Sequence, residues 1–144
     1  MEVLLKEPLK GSVEELSRSS DDDQPQNLAK LCAQILDKAK MEDIKVLDVK
    51  NALQIADCFV LASARNVRHI KAASTELLKE LRQKGITRRG IEGHRDSKWM
   101  LVDLMDVVVH LFVPETREYY DLENLWGDCP RISWKEPATV VMDR

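Results

Sequence analysis

The chain has 144 residues, which suits one domain able to bury about 68–70% of the surface its unfolded chain exposes. Its composition, 44% hydrophobic and 33% charged, contains no apolar run near the roughly 18 residues that read as a membrane span. The formal charge of −3 is uneven: residues 1–26 carry −4, residues 27–126 carry +1 and residues 127–144 carry none, so the strongly basic footprint of a nucleic-acid-binding domain is absent.

Residues 1–26 begin without a basic flank or a sustained apolar stretch, so no secretory signal is expected, and their acids argue against a mitochondrial presequence. Residues 12–26 are polar, acidic and without periodicity, which predicts a disordered acidic N-terminal extension. From Leu28 the pattern becomes helical: Leu28, Leu31, Cys32, Ile35, Leu36 and Ala39 share a face, with Asn27 as the expected N-cap and an end near Met41. Residues 44–49 alternate and are rich in β-branched side chains, which predicts a strand. Residues 58–63 (CFVLAS) are a short unbroken apolar run, as in a strand buried on both faces.

A second helix is predicted over residues 67–83, with Val67, Ile70, Ala73 or Ser74, Leu77, Leu78 and Leu81 on its inner stripe and Gly85 just past its end. A weak strand is expected through residues 88–92. Residues 98–103 and 106–112 then form a hairpin around Leu104 and Met105. A two-residue turn prefers glycine or asparagine, so this turn must be strained or longer. Pro114 pre-sets a last helix running to about Leu125, and residues 127–144, with Pro130 and Pro137, read as an extended tail. The order gives one mixed β-sheet flanked by helices, an α/β or α+β domain over residues 27–126.

Catalytic signals are absent. Ser63, Ser97 and the cysteines are potential nucleophiles, and His69, His94 and His110 potential bases, but no nucleophile elbow or Cys–His signature joins them. His69 fits a polar helix face, and His110 fits a packed or partner-facing position in a strand. Cys32, Cys58 and Cys129 are odd in number and widely spaced. They frame neither a disulfide scaffold nor a zinc site and read as reduced, partly buried side chains of a cytoplasmic protein. Asp57, Asp103 and Asp106 are the alternative enzyme reading, a nucleotidyltransferase-like metal-dependent site. Two-metal chemistry needs carboxylates that clamp ions about 3.5–4 Å apart; the three-residue step from Asp103 to Asp106 fits a turn better, and no phosphate loop precedes it. No metal and no cofactor is expected.

The hairpin carries the strongest signal. Trp99, Leu101 and Asp103 share one face of its first strand, and Met100, Val102 and Leu104 the other. One face must pack on the helices. The other keeps large apolar groups, and the turn is expected to display Leu104 and Met105, the pattern of a partner-binding anchor. Basic residues at Arg82, Lys84, Arg88, Arg89, Arg95 and Lys98 form a weak cluster, diluted by Glu92 and Asp96, that adds at most a salt-sensitive rim toward RNA.

Six segments together resemble the ribosomal silencing factor family, RsfS, also called Iojap-like: residues 43–49 (DIKVLDV), 55–63 (IADCFVLAS), 68–72 (RHIKA), 91–93 (IEG), 99–112 (WMLVDLMDVVVHLF) and 117–126 (REYYDLENLW). The resemblance spans residues 27–126. It departs from the family pattern at Cys58, where tyrosine is common, and at Met105, where glycine is common. The resemblance implies a homodimer-forming domain whose fold is nucleotidyltransferase-like without its catalytic residues. It also implies binding to a large-subunit ribosomal protein at the intersubunit face, which blocks the small subunit and represses translation. Trp99 and Leu104 match family residues implicated in that contact; Met100, Leu101, Met105 and Asp106 join them by position, with Arg88, Arg89, Arg95 and Lys98 as a minor rRNA rim.

Overall fold

The computed structural model describes residues 24–52, 56–86, 90–92, 98–121, 124 and 126–135; the acidic stretch before Gln24 lies outside them. Helix α1 spans Gln24–Lys38. It starts three residues before the expected cap at Asn27, because Pro25 sits in the first turn, where its missing N–H costs nothing. Ala29, Cys32, Ala33, Ile35 and Leu36 form its buried face. The helix stops in a tight C-terminal motif: the Met41 N–H donates to Leu36 O (3.0 Å) and Lys40 N–H to Asp37 O (3.0 Å), with Lys40 left-handed at φ +69.

Strand β1 is Glu42–Asp48 and β2 is Cys58–Ser63. Helix α2 is Val67–Gln83, the predicted range. Asn66 caps it by accepting the His69 N–H at 2.8 Å, and Gly85 (φ +80) closes it while the Ile86 N–H reaches back to Leu81 O. The remaining elements are β3 (Gly90–Glu92), β4 (Trp99–Asp103), β5 (Val107–Phe112) and α3 (Pro114–Tyr120). Helix α3 ends earlier than expected, at Asp121, which is left-handed with φ +50.

The strands form one sheet in the order β1-β2-β5-β4-β3. Only β2 and β5 run parallel; the other three pairings are antiparallel. Helices α1 and α2 cover one face, burying Val46, Val60, Ala62, Val102, Val109 and Leu111. A second cluster, with Leu47, Phe59, Leu61, Val108 and Phe112, fills the opposite face. Every residue of β2 and β5 is buried, which explains why their sequences show no alternation. This is the α+β arrangement expected from the sequence.

Side chains then tie the elements together. Arg117 of α3, only 4% exposed, donates from Nη1 to Ser63 Oγ at 2.7 Å. Its guanidinium lies 5.2 Å from the Phe112 ring centre and 3.6 Å from Asp43 Oδ2. The extended segment after Trp126 lines the outer edge of β1: Asp48 N–H donates to Pro130 O, and Ile132 N–H to Val46 O. Trp134 Nε1 donates to Ile44 O, and Trp134 O accepts from Gln34 Nε2. A strand edge that would otherwise offer its backbone to another chain is thereby covered.

His69 corrects an expectation. Rather than lying on a polar face it is buried at the junction of both helices. Nδ1 accepts the Arg65 N–H at 3.0 Å, so the proton sits on Nε2, which donates to Ala39 O at 2.8 Å. One imidazole thus satisfies a carbonyl at the end of α1 and an amide before α2. His69→Leu is therefore expected to destabilise the fold by about 1–3 kcal/mol, the cost of two stranded polar groups, measured as a lower urea midpoint; an unchanged midpoint would show that water replaces both bonds.

A candidate partner-binding surface

The geometry of the hairpin decides which side chains can meet a partner. Register pairs Trp99 with Phe112, Leu101 with His110 and Asp103 with Val108. Alternation therefore places Trp99, Leu101, Asp103, Val108, His110 and Phe112 on the face away from α1 and α2. Met100, Val102 and Leu104 point to the helices instead. The predicted contact residues accordingly separate. Trp99 and Leu101 are half-buried, and Met105 and Asp106 are exposed at the tip. Met100 and Leu104, at 8% and 6% exposure, belong to the helix-side core. The expectation that the turn displays Leu104 is thus corrected: the turn residues are Met105 and Asp106. Lys98 is exposed. Arg88, Arg89 and Arg95 lie outside the described residues.

The turn is two residues long and strained. Leu104 N–H donates to Val107 O at 2.9 Å, and Asp106 N–H to Leu104 O at 3.1 Å. Met105 carries φ +78, a region that favours glycine and costs a side-chain-bearing residue free energy. Asp103 holds the turn by accepting the Met105 N–H on Oδ1 at 2.8 Å. The Asp106 carbonyl accepts from the amides of both Asp57 and Cys58, so the tip is fastened to the start of β2.

Behind Trp99 lies an aromatic group that the sequence alone did not reveal. Trp99 Nε1 donates to His110 Nδ1 at 3.4 Å and meets Phe112 edge-on with ring centres 5.8 Å apart. The His110 ring is 4.5 Å from Phe59 and 5.3 Å from Trp126, and Phe59 meets Trp126 edge-on at 5.0 Å. Parity along β5 could have placed His110 beside Phe112. Its contact with Phe59 required the parallel β2–β5 pairing, which joins residues about 50 positions apart. Burial pushes the His110 pKa down to about 3, so the imidazole is neutral and, with Nδ1 accepting, protonated on Nε2.

The two buried thiols among the described residues are held in their neutral form. Burial pushes the Cys32 thiol up to about 12. Cys58 rises to about 12 as well, chiefly through burial, with Asp48, Asp57 and Asp106 adding to the effect. Neither forms the thiolate that nucleophilic chemistry needs. Asp103 is spent on the turn. Among the described residues no three His, Cys, Asp or Glu side chains are placed to hold a metal ion, and no helix is long and apolar enough to cross a membrane.

Two outcomes follow. Met105→Gly relieves the left-handed strain and is expected to raise stability by about 1 kcal/mol, read as a higher melting temperature; a lower one would show that the Met105 side chain packs productively. For His110 the folded pKa lies below the unfolded value, so its stabilisation is complete above pH 6.5 and is lost as pH falls toward 3. Urea titrations between pH 7.5 and 5 should show a steeper loss for the natural protein than for His110→Gln. Parallel curves would contradict the neutral, desolvated imidazole.

Comparison with known proteins finds relatives in one family. Residues 22–143 match the sequence model of the family described as "Ribosomal silencing factor during starvation". Ribosomal silencing factor RsfS of Halalkalibacterium halodurans is 37% identical over 107 residues, covering 74% of this chain and 92% of that protein. The mouse protein named "Mitochondrial assembly of ribosomal large subunit protein 1" is 35% identical over 95 residues, 64% of this chain and 42% of its own length. A crystal structure from Chromobacterium violaceum superimposes with a TM-score of 0.69 at 34% identity, covering 80% of this chain and 95% of its own.

Proposed function

Because the chain belongs to the ribosomal silencing factor family, we propose that it docks on a large-subunit ribosomal protein at the intersubunit face. Bound there, it blocks joining of the small subunit and represses translation. It acts in the cytoplasm as a homodimer and needs neither metal nor cofactor, since the mechanism is steric rather than catalytic. The mouse relative, named for assembly of the ribosomal large subunit, supports the choice of the large subunit.

The observation that carries this reading is the outer edge of the hairpin. Trp99 and Leu101 are half-buried there, and Met105 stands exposed at the tip. Large apolar side chains on a rigid strand pair lose little conformational entropy on binding, and aromatic anchors of this kind dominate interface energies. Met100 and Leu104 act from beneath, by holding the strand and turn in place. Asp106 contributes at the rim, and Arg88, Arg89, Arg95 and Lys98 add a minor contact to rRNA whose share of the affinity falls with salt.

Co-sedimentation with purified large subunits tests the surface. Trp99→Ala is expected to weaken binding by at least about 30-fold, equivalent to roughly 2 kcal/mol, with the fold retained. Met105→Gly should bind more weakly than the natural protein even though it is more stable, because it removes the exposed side chain. A folded Trp99→Ala, Met105→Gly double variant that binds with unchanged affinity would remove the hairpin from the mechanism.

A further inference from the structure

Among the apolar side chains Phe59, Trp99, Leu101, Phe112 and Trp126 on the outer face of the sheet sits one imidazole. His110 is 4% exposed, and its Nε2 has no hydrogen-bond partner. A buried polar group with an unmet donor lowers stability relative to an apolar side chain of similar shape. Packing alone would therefore favour leucine or phenylalanine at this position. What the imidazole offers beyond packing is the Nδ1 lone pair, and that lone pair accepts the Trp99 indole N–H at 3.4 Å.

Resting on the docking role of Trp99, we propose that His110 is the positioning residue of that surface: its Nδ1 holds the Trp99 indole in one orientation beside Leu101. The two residues are diagonal cross-strand neighbours, since Trp99 pairs with Phe112 and Leu101 with His110, a separation that aromatic side chains span. His110 is itself packed against Phe59 and Trp126, which also meet each other edge-on. The His110 ring lies among these aromatic rings, where an N–H can rest on a π face. A half-buried indole left free would have to be ordered at the moment of binding; one already hydrogen-bonded is ordered beforehand. Only a neutral imidazole can do this, because the imidazolium has no lone pair. The positions flanking His110 on its face are Val108 and Phe112 on β5, Leu101 on β4 and Leu61 on β2; the charged groups on this face are Asp103, diagonal to His110 on β4 with its Oδ1 on the Met105 N–H, and Arg117, over Phe112.

The test combines binding to purified large subunits with nitrogen NMR of the full chain. His110→Leu is expected to bind about tenfold more weakly, and His110→Gln, whose side-chain oxygen can accept the same N–H, within about threefold of the natural protein. In a Trp99→Phe background, which has no indole N–H, His110→Leu should change binding by less than about twofold. In the natural protein at pH 7, the His110 nitrogens should report an unprotonated Nδ1 and a protonated Nε2, with slow exchange of the Trp99 indole proton. This spectroscopic signature decides the matter even where His110→Leu fails to fold. An Nδ1-protonated His110 would overturn the proposal. So would a folded His110→Leu that binds normally while Trp99→Ala loses affinity, an outcome that leaves the docking surface standing. Normal binding by Trp99→Ala would remove the docking surface and this inference together.

Discussion

The parallel pairing of β2 with β5 is the constraint on which the rest of the molecule depends. It places two strands, each buried along its whole length, in the middle of the sheet. Burial on both faces requires a layer on each side. Helices α1 and α2 supply one, and α3 with the segment around Trp126 supplies the other. The same pairing brings Phe59 against His110, so it also sets the back wall of the candidate surface. The start of β2 fastens the hairpin tip through the Asp106 carbonyl. A hairpin that would be marginal alone becomes a fixed ledge because its second strand lies in the core.

Local rules account for much of what could be read beforehand. Helix α2 was legible to its ends because it carries an apolar stripe, an asparagine cap and a closing glycine, all within one stretch of chain. Strand β2 was legible as an unbroken apolar run. Local rules failed where an element's edge depends on a distant partner. The polar residues Gln24 and Gln26 gave no sign that α1 starts at Pro25's turn. Asp121 ends α3 by backbone conformation, which its side chain does not announce. His69 resembles a surface residue until Ala39, thirty positions away, supplies its second hydrogen bond.

The candidate site shows the same division. That the hairpin exists, and that Trp99 and Leu101 share a face, follows from alternation alone. The tip was misplaced by one residue because Leu104 and Met105 both look out of place in a turn. A leucine one step earlier completes the helix-side row of Met100 and Val102, and the strain falls on Met105. Proposing a partner here needed the family resemblance, since an apolar strand edge by itself does not say what covers it. The aromatic group behind Trp99 was illegible, because Phe59, His110 and Trp126 come from three separate elements.

Steric exclusion is the central claim, and a subunit-joining assay addresses it most directly. Purified large subunits are incubated with the full chain, small subunits are added, and association is followed by light scattering or by sedimentation. The account predicts that joining falls in proportion to the fraction of large subunits carrying the protein. Full joining on large subunits shown to be saturated with it would contradict the account.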